Sequence, residues 1–181
     1  MKRISKAAAW RGVIGAGLLV SASWSWAAAD NMHFSGALVA EPCTLRPGDE
    51  DIRLEFGTVI DKYLYTHGRT AGKAFSLVLQ DCDIGLGNSV KVTFSGAESG
   101  ALPGLLKPDG GSQATGIALG LETAAGAPLA LNKPSEGYAI GKGSNSLQLQ
   151  VYVQGEPEAI AQKSIGLGTF SAVATFGLEY E

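Results

Sequence analysis

Apolar residues fall on alternate positions through most of the chain beyond residue 30. The clearest case runs from Thr169 to Glu181, where Phe170, Ala172, Ala174, Phe176, Leu178 and Tyr180 occupy every second position. Side chains two apart share one face of a strand, so this pattern predicts a half-buried β-strand. The chain ends on that strand with no return strand after it. An edge this apolar needs a partner, because a long bare edge is a template for aggregation.

The same period recurs upstream. Met32, Phe34, Gly36 and Leu38 alternate with His33, Ser35 and Ala37, and the glycine in this row marks a place where another backbone can come close. Glu41 to Asp51 is turn-rich, with Pro42, Pro47 and Gly48. Alternation then predicts strands through Ile52, Leu54 and Phe56, through Phe75, Leu77 and Leu79, and through Val90, Val92 and Phe94. Further strands are predicted through Ile117, Leu119 and Leu121, through Leu129 and Leu131, and through Leu147, Leu149, Val151 and Val153. Asp61–Gly72, Gly100–Gly116, Asn132–Ser144 and Gly155–Ser164 read as loops. No segment holds a sustained helical period. Strands at short intervals between Gly/Pro turns predict one all-β sandwich domain.

The N-terminus sets the compartment. Lys2, Arg3, Lys6 and Arg11 precede an apolar run from Gly12 to Ala22, and S-W-A-A-A closes the stretch at Ala29. That order is the one of a secretory signal peptide, cleaved after Ala27 or Ala29. The run falls short of the ~20 residues a membrane span needs. With residues 1–29 removed, 10 of the 14 basic side chains remain against all 17 acidic ones, a net charge of −7. An acidic surface argues against nucleic acid or anionic lipid as partner. Cys43 and Cys82 in an exported protein predict a disulfide, which would contribute ~4 kcal/mol in the chain-entropy model.

Candidate chemistry is sparse. His33 and His67 are far apart and have no zinc spacing, and His33 belongs on the polar side of its segment. Gly68–Ala74 lacks the spacing and the Ser/Thr of a phosphate loop. Asp49, Glu50 and Asp51 read as a solvated acidic turn, and Asp81 and Asp83 flank Cys82 without a calcium-loop spacing. Tyr63, Tyr65 and Arg69 could line a binding surface, although an aromatic cover over a loop is the simpler role. The expectation is a protein with no catalytic residues, no metal site and no cofactor.

Four elements carry a family resemblance: the leader, M-H-F-S-G-A-L-V-A-E-P-C at 32–43, L-V-L-Q-D-C-D at 77–83, and A-T-F-G-L-E-Y-E at 174–181. With its cysteine spacing and penultimate Tyr180, the chain resembles the structural subunits of chaperone–usher fimbriae, the type 1 and P pilus pilins. The resemblance implies an incomplete immunoglobulin-like sandwich lacking its last strand, with an N-terminal donor-strand extension. It divides the chain into a signal peptide (1–29), an extension (30–41) and a pilin domain (42–181). Met32, Phe34, Gly36 and Leu38 would be the donated row, with Gly36 over a shallow stretch of groove floor. Phe170, Ala172, Ala174, Phe176, Leu178 and Tyr180 would border the receiving groove. The partners implied are a periplasmic chaperone, an outer-membrane usher and neighbouring pilus subunits. The subunit would be exported through the periplasm to a surface fimbrium that supports cell adhesion. Ile52–Asp83 departs from the most familiar major pilins, which leaves open whether the subunit is a major or a minor one. The alternatives are a single-domain carbohydrate-binding fimbrial adhesin using Tyr63, Tyr65 and Arg69, and a secreted β-sandwich enzyme with scattered ligands.

Overall fold

The computed structural model describes residues 35, 36, 38 and 40–181. The signal-peptide reading of residues 1–29, together with Met32, His33 and Phe34, lies outside them. The chain divides into a leading unit, Met1–Leu38, and a compact unit, Val39–Glu181. In the leading unit Ser35, Gly36 and Leu38 have no regular structure, and Leu38 is fully exposed.

The compact unit consists of two antiparallel sheets, as the alternating pattern predicts. The larger contains β1 (Thr44–Leu45), β2 (Lys73–Cys82), β7 (Gly143–Gly155), β4 (Ile117–Thr123) and β5 (Pro128–Leu129), in that spatial order. The smaller contains β6 (Tyr138–Ala139), β3 (Ser89–Ser95) and β8 (Thr175–Tyr180). β7 is the spine of the larger sheet, pairing Leu149 with Phe75 of β2 on one side and with Thr123 of β4 on the other. Leu77, Leu79, Val90, Leu131, Leu149 and Val153 are wholly buried. Leu131 lies in a turn; each of the others sits at a strand position where period two points inward. Cys43 and Cys82 form a disulfide within this core, both nearly inaccessible.

Besides the two-residue strands β1 and β6, which fall where a turn and a loop are expected, four features depart from the sequence reading. Asp61–His67 forms a helix, α1, and Pro157–Gln162 a second, α2, where loops are expected. Each is under two turns, too short to show a helical period, and tertiary contacts hold it: α1 by buried Leu64, α2 by buried Ala159. Ile52, Leu54 and Phe56 do alternate in burial, but they pair with no strand. Phe170–Ala174 likewise alternates without joining β8, its backbone instead bonded to the 109–114 loop at Ser171 and Thr169.

The fourth correction is Asp49, which is not part of a solvated acidic turn. It is 6% exposed. Its carboxylate accepts bonds from the Arg46 guanidinium at 2.7 Å and from the Val78 N–H at 2.8 Å. A charge that near a strand edge is stable only with such partners. It fastens the chain where it leaves β1 and crosses away from β2. Burial would raise the Asp49 pKa, but the Arg46 and Val78 hydrogen bonds outweigh it and hold the carboxyl below its ordinary value. A group whose folded pKa is depressed stabilises the fold above its unfolded pKa of ~4 and loses that contribution as pH falls through the folded value. Asp49→Asn should therefore lower stability by about 1–3 kcal/mol at neutral pH. Urea unfolding at stepped pH should show the gap from wild type closing below pH ~4; a gap that persists to the lowest pH would refute the assignment.

Candidate functional site: an open side of the sandwich

One side of the domain is unfinished. Ile52, Leu54, Phe56, Phe170, Ala172, Ala174, Phe176, Leu178 and Tyr180 all pack on the main core, yet each stays partly exposed. They form two rows, one along 52–56 and one along 170–180. Pro42 lies beside the Glu181 carbonyl, since a Cβ on Gly87 would meet Pro42 Cγ at 3.0 Å and Glu181 O at 3.1 Å. At the other end the Phe56 and Phe170 rings are 5.9 Å apart. The segment from Pro42 to Phe56 thus runs alongside 170–181 in the opposite direction. We take the half-exposed apolar surface that the two rows share on the core as a slot.

The backbones that border the slot lack partners. In β8, Ser89 and Glu181 exchange both backbone bonds, at 3.1 and 3.0 Å. With the register Lys91↔Glu179 and Thr93↔Gly177, alternation in an antiparallel pair turns Glu179 and Gly177 toward β3. It turns the N–H and C=O groups of Phe176, Leu178 and Tyr180 to the open edge. On the opposite wall, residues 51–59 make no backbone–backbone hydrogen bond among the described residues. Lys73 Nζ donates to the Glu55 carbonyl there. Backbone groups without protein partners beside a half-exposed apolar core offer an edge to which a further strand can add.

The aromatic floor is continuous: Phe75 meets Phe94 edge-on at 6.3 Å, and Phe94 lies 6.4 Å from Phe176. Burial pushes the Tyr180 hydroxyl above its ordinary pKa, and the charge of Glu41 adds to the shift. Past Phe56 the slot ends at a second apolar cluster of Leu64, Ala114, Ile117 and Val153, with Val59, Ile165 and Phe170 packed on it. The cross-wall contribution of Ile52, Leu54 and Phe56 was visible in the sequence as a strand, but nothing there placed it opposite β8.

The remaining candidates are dispersed. Tyr63 stacks on His67 at 4.0 Å, Tyr65 Oη accepts the Ile165 N–H, and Arg69 binds Glu122, so each is engaged in a contact of its own. Asp83 caps a turn through Gly85 N–H, and Asp81 takes a left-handed backbone conformation. Among the described residues no group of three or more His, Cys, Asp or Glu side chains is arranged to hold a metal. No described helix is long and apolar enough to cross a membrane.

Residues 32–181 match the family described as Fimbrial protein. The fimbrial adapter PapK of Escherichia coli is 36% identical over 176 residues, covering 92% of this chain and 97% of that one. The solved structure of a chaperone–usher pilus aligns with a TM-score of 0.68 at 25% identity, over 83% of this chain and 94% of its own. The crystal structure of the P pilus rod subunit PapA shares the fold, with a TM-score of 0.67 at 23% identity over 78% of this chain and all of its own. These relatives favour a structural role over the adhesin reading. A two-sheet immunoglobulin-like sandwich with one side open, matched along its length to such proteins, belongs to the fimbrial protein family and is a structural subunit of a chaperone–usher fimbria.

Proposed function

We propose that the slot is filled in the assembled fibre by the leading segment of a neighbouring subunit, residues 30–41 of this chain serving the next one in turn. The observation that carries this reading is the pair of unpaired edges along 51–59 and 176–180 above a half-exposed core. The occupant must be an extended segment with apolar side chains on alternate positions. Met32, Phe34 and Leu38 have that spacing, and Leu38 is fully exposed in its own chain. A Cβ on Gly36 would meet nothing within 4 Å. Its own surroundings therefore do not call for glycine, which fits a close approach to another molecule instead. Phe170, Ala172, Ala174, Phe176, Leu178 and Tyr180 border the slot that receives the row.

The energetics favour exchange over spontaneous capture. Burying three large apolar side chains contributes ~1.5–3 kcal/mol each, and strand hydrogen bonds ~0.5–1.5 kcal/mol each. Ordering a ten-residue segment costs ~1–2 kcal/mol per residue. Against that balance, a periplasmic chaperone that lends a strand to the empty slot, and an outer-membrane usher at which the lent strand is replaced, complete the route. Residues 1–29 are then the export signal. The contact joins two different surfaces of the same chain, so repetition gives an open filament rather than a closed ring. A surface fibre of such subunits supports adhesion through its length, not through a catalytic or cofactor-bearing site in each one.

A synthetic peptide of residues 30–41 should bind the full chain and raise its unfolding midpoint, by the equivalent of ~2.7 kcal/mol at a hundredfold excess over Kd. Absence of any shift at millimolar peptide would remove the proposal. Gly36→Arg in the peptide should abolish binding while the same change in the chain leaves its circular dichroism unaltered; equal binding would show that no shallow floor lies beneath that position. Tyr180→Ala, which shortens the wall by one large side chain, should weaken peptide binding by ~1.5–3 kcal/mol, read by titration calorimetry. An unchanged Kd would take Tyr180 out of the slot.

A further inference from the structure

The segment of residues 51–59 makes no backbone–backbone bond among the described residues, so something other than a ladder must fix its place on the core. At its start stands Asp49, described above. At its far end the chain passes through α1 and reaches Arg69, on the outer face of the larger sheet. There the Arg69 guanidinium donates from both terminal nitrogens to the Glu122 carboxylate, each at 2.8 Å. The guanidinium carbon also lies 3.8 Å over the Tyr152 ring. The ring occupies the space above Gly120, where a Cβ would fall 2.1 Å from Tyr152 Cζ. Glu122 and Tyr152 are 4% and 6% exposed although they sit on the face away from the core, while the Arg69 side chain keeps 40% of its surface in solvent.

Backbone bonds continue the attachment. Gly155 N–H donates to the Gly68 carbonyl at 2.9 Å, Thr70 N–H to the Val153 carbonyl at 2.8 Å, and Val153 N–H to Thr70 Oγ1 at 3.0 Å. They tie residues 68–70 to the end of β7. The α1 turn held in this way puts Leu64, 2% exposed, into the cluster on which Phe56 and Val59 rest.

A buried ion pair is seldom the most stabilising choice at a site, since apolar residues of like volume serve as well. What a bidentate, stacked guanidinium adds is a defined position and orientation. We infer that Arg69, with Glu122 and Tyr152, is a positioning clamp for the slot: it seats α1 so that the unpaired wall stays a strand's width from β8 while the slot is empty. Without it the two half-exposed apolar rows close on each other, and an incoming strand must first part them. The inference rests on the strand-filling reading and names residues outside the slot that set how fast it fills.

The test uses the full chain and a fluorescent peptide of residues 30–41 in excess, with Glu122→Gln and the paired replacement Arg69→Met with Glu122→Met. The paired variant leaves no uncompensated charge, so it folds where Arg69→Met alone would strand Glu122. Both variants should take up peptide at least tenfold more slowly with an unchanged dissociation rate. Amide exchange at Leu64 and Gly68 should rise by a similar factor while Leu149 and Val151 stay protected. A purely structural pair would instead lower the unfolding midpoint and leave the association rate as in wild type; that result overturns the clamp alone. Unaltered exchange in α1 overturns it too. A wild-type chain that takes up no peptide overturns the strand-filling reading, and the clamp's role with it.

Discussion

The structure depends on a mismatch between its core and its edges. A sandwich is stable when the apolar faces of both sheets are covered and every inner backbone group is paired. Here the core is filled beneath β2, β3, β4 and β7, yet residues 51–59 make no backbone–backbone bond among the described residues and one side of β8 carries no partner strand. The geometry of the rest follows from keeping that slot both apolar and open. Its floor is aromatic, its walls run in opposite directions, and its far end is closed by a separate small cluster around Leu64.

Buried charge is spent where the ladder is missing. Asp49 and Glu122 are both nearly inaccessible, each is satisfied by an arginine, and they lie on either side of the unpaired wall in the chain. The arginines keep 46% and 40% of their side-chain surface in solvent. The cost of burying each pair is thereby carried mostly by the carboxylate. The exposed pairs, Arg53 with Asp51 and Lys91 with Glu181, contribute little by comparison.

The relatives include rod and adapter proteins of pili, the matches spanning 78–92% of this chain and 94–100% of theirs. Tyr63, Tyr65 and Arg69 each enter a different contact. Arg69 and Tyr65 serve the attachment of α1, one to the sheet and the other to the 165 region.

Period-two alternation determined the strands through Phe75–Leu79, Val90–Phe94, Ile117–Leu121 and Leu147–Val153, and the two cysteines determined their own pairing, because each is a local or composition-level signal. The burial rhythm of Ile52–Phe56 and Phe170–Tyr180 was equally legible, but whether those residues had neighbours was not. A strand's side chains report which face is apolar; its partners are decided by distant segments. The helices α1 and α2 were invisible for a related reason, since segments of seven and six residues are held by contacts made elsewhere. Asp49 read as a surface acid because its neighbours Glu50 and Asp51 are polar, and only the fold brings Val78 N–H and the Arg46 guanidinium to it. The sequence by itself thus set the strands and the cysteine pair that links them. Tertiary structure alone decided which edges lie open, because an unpaired edge is a relation between segments far apart in the chain.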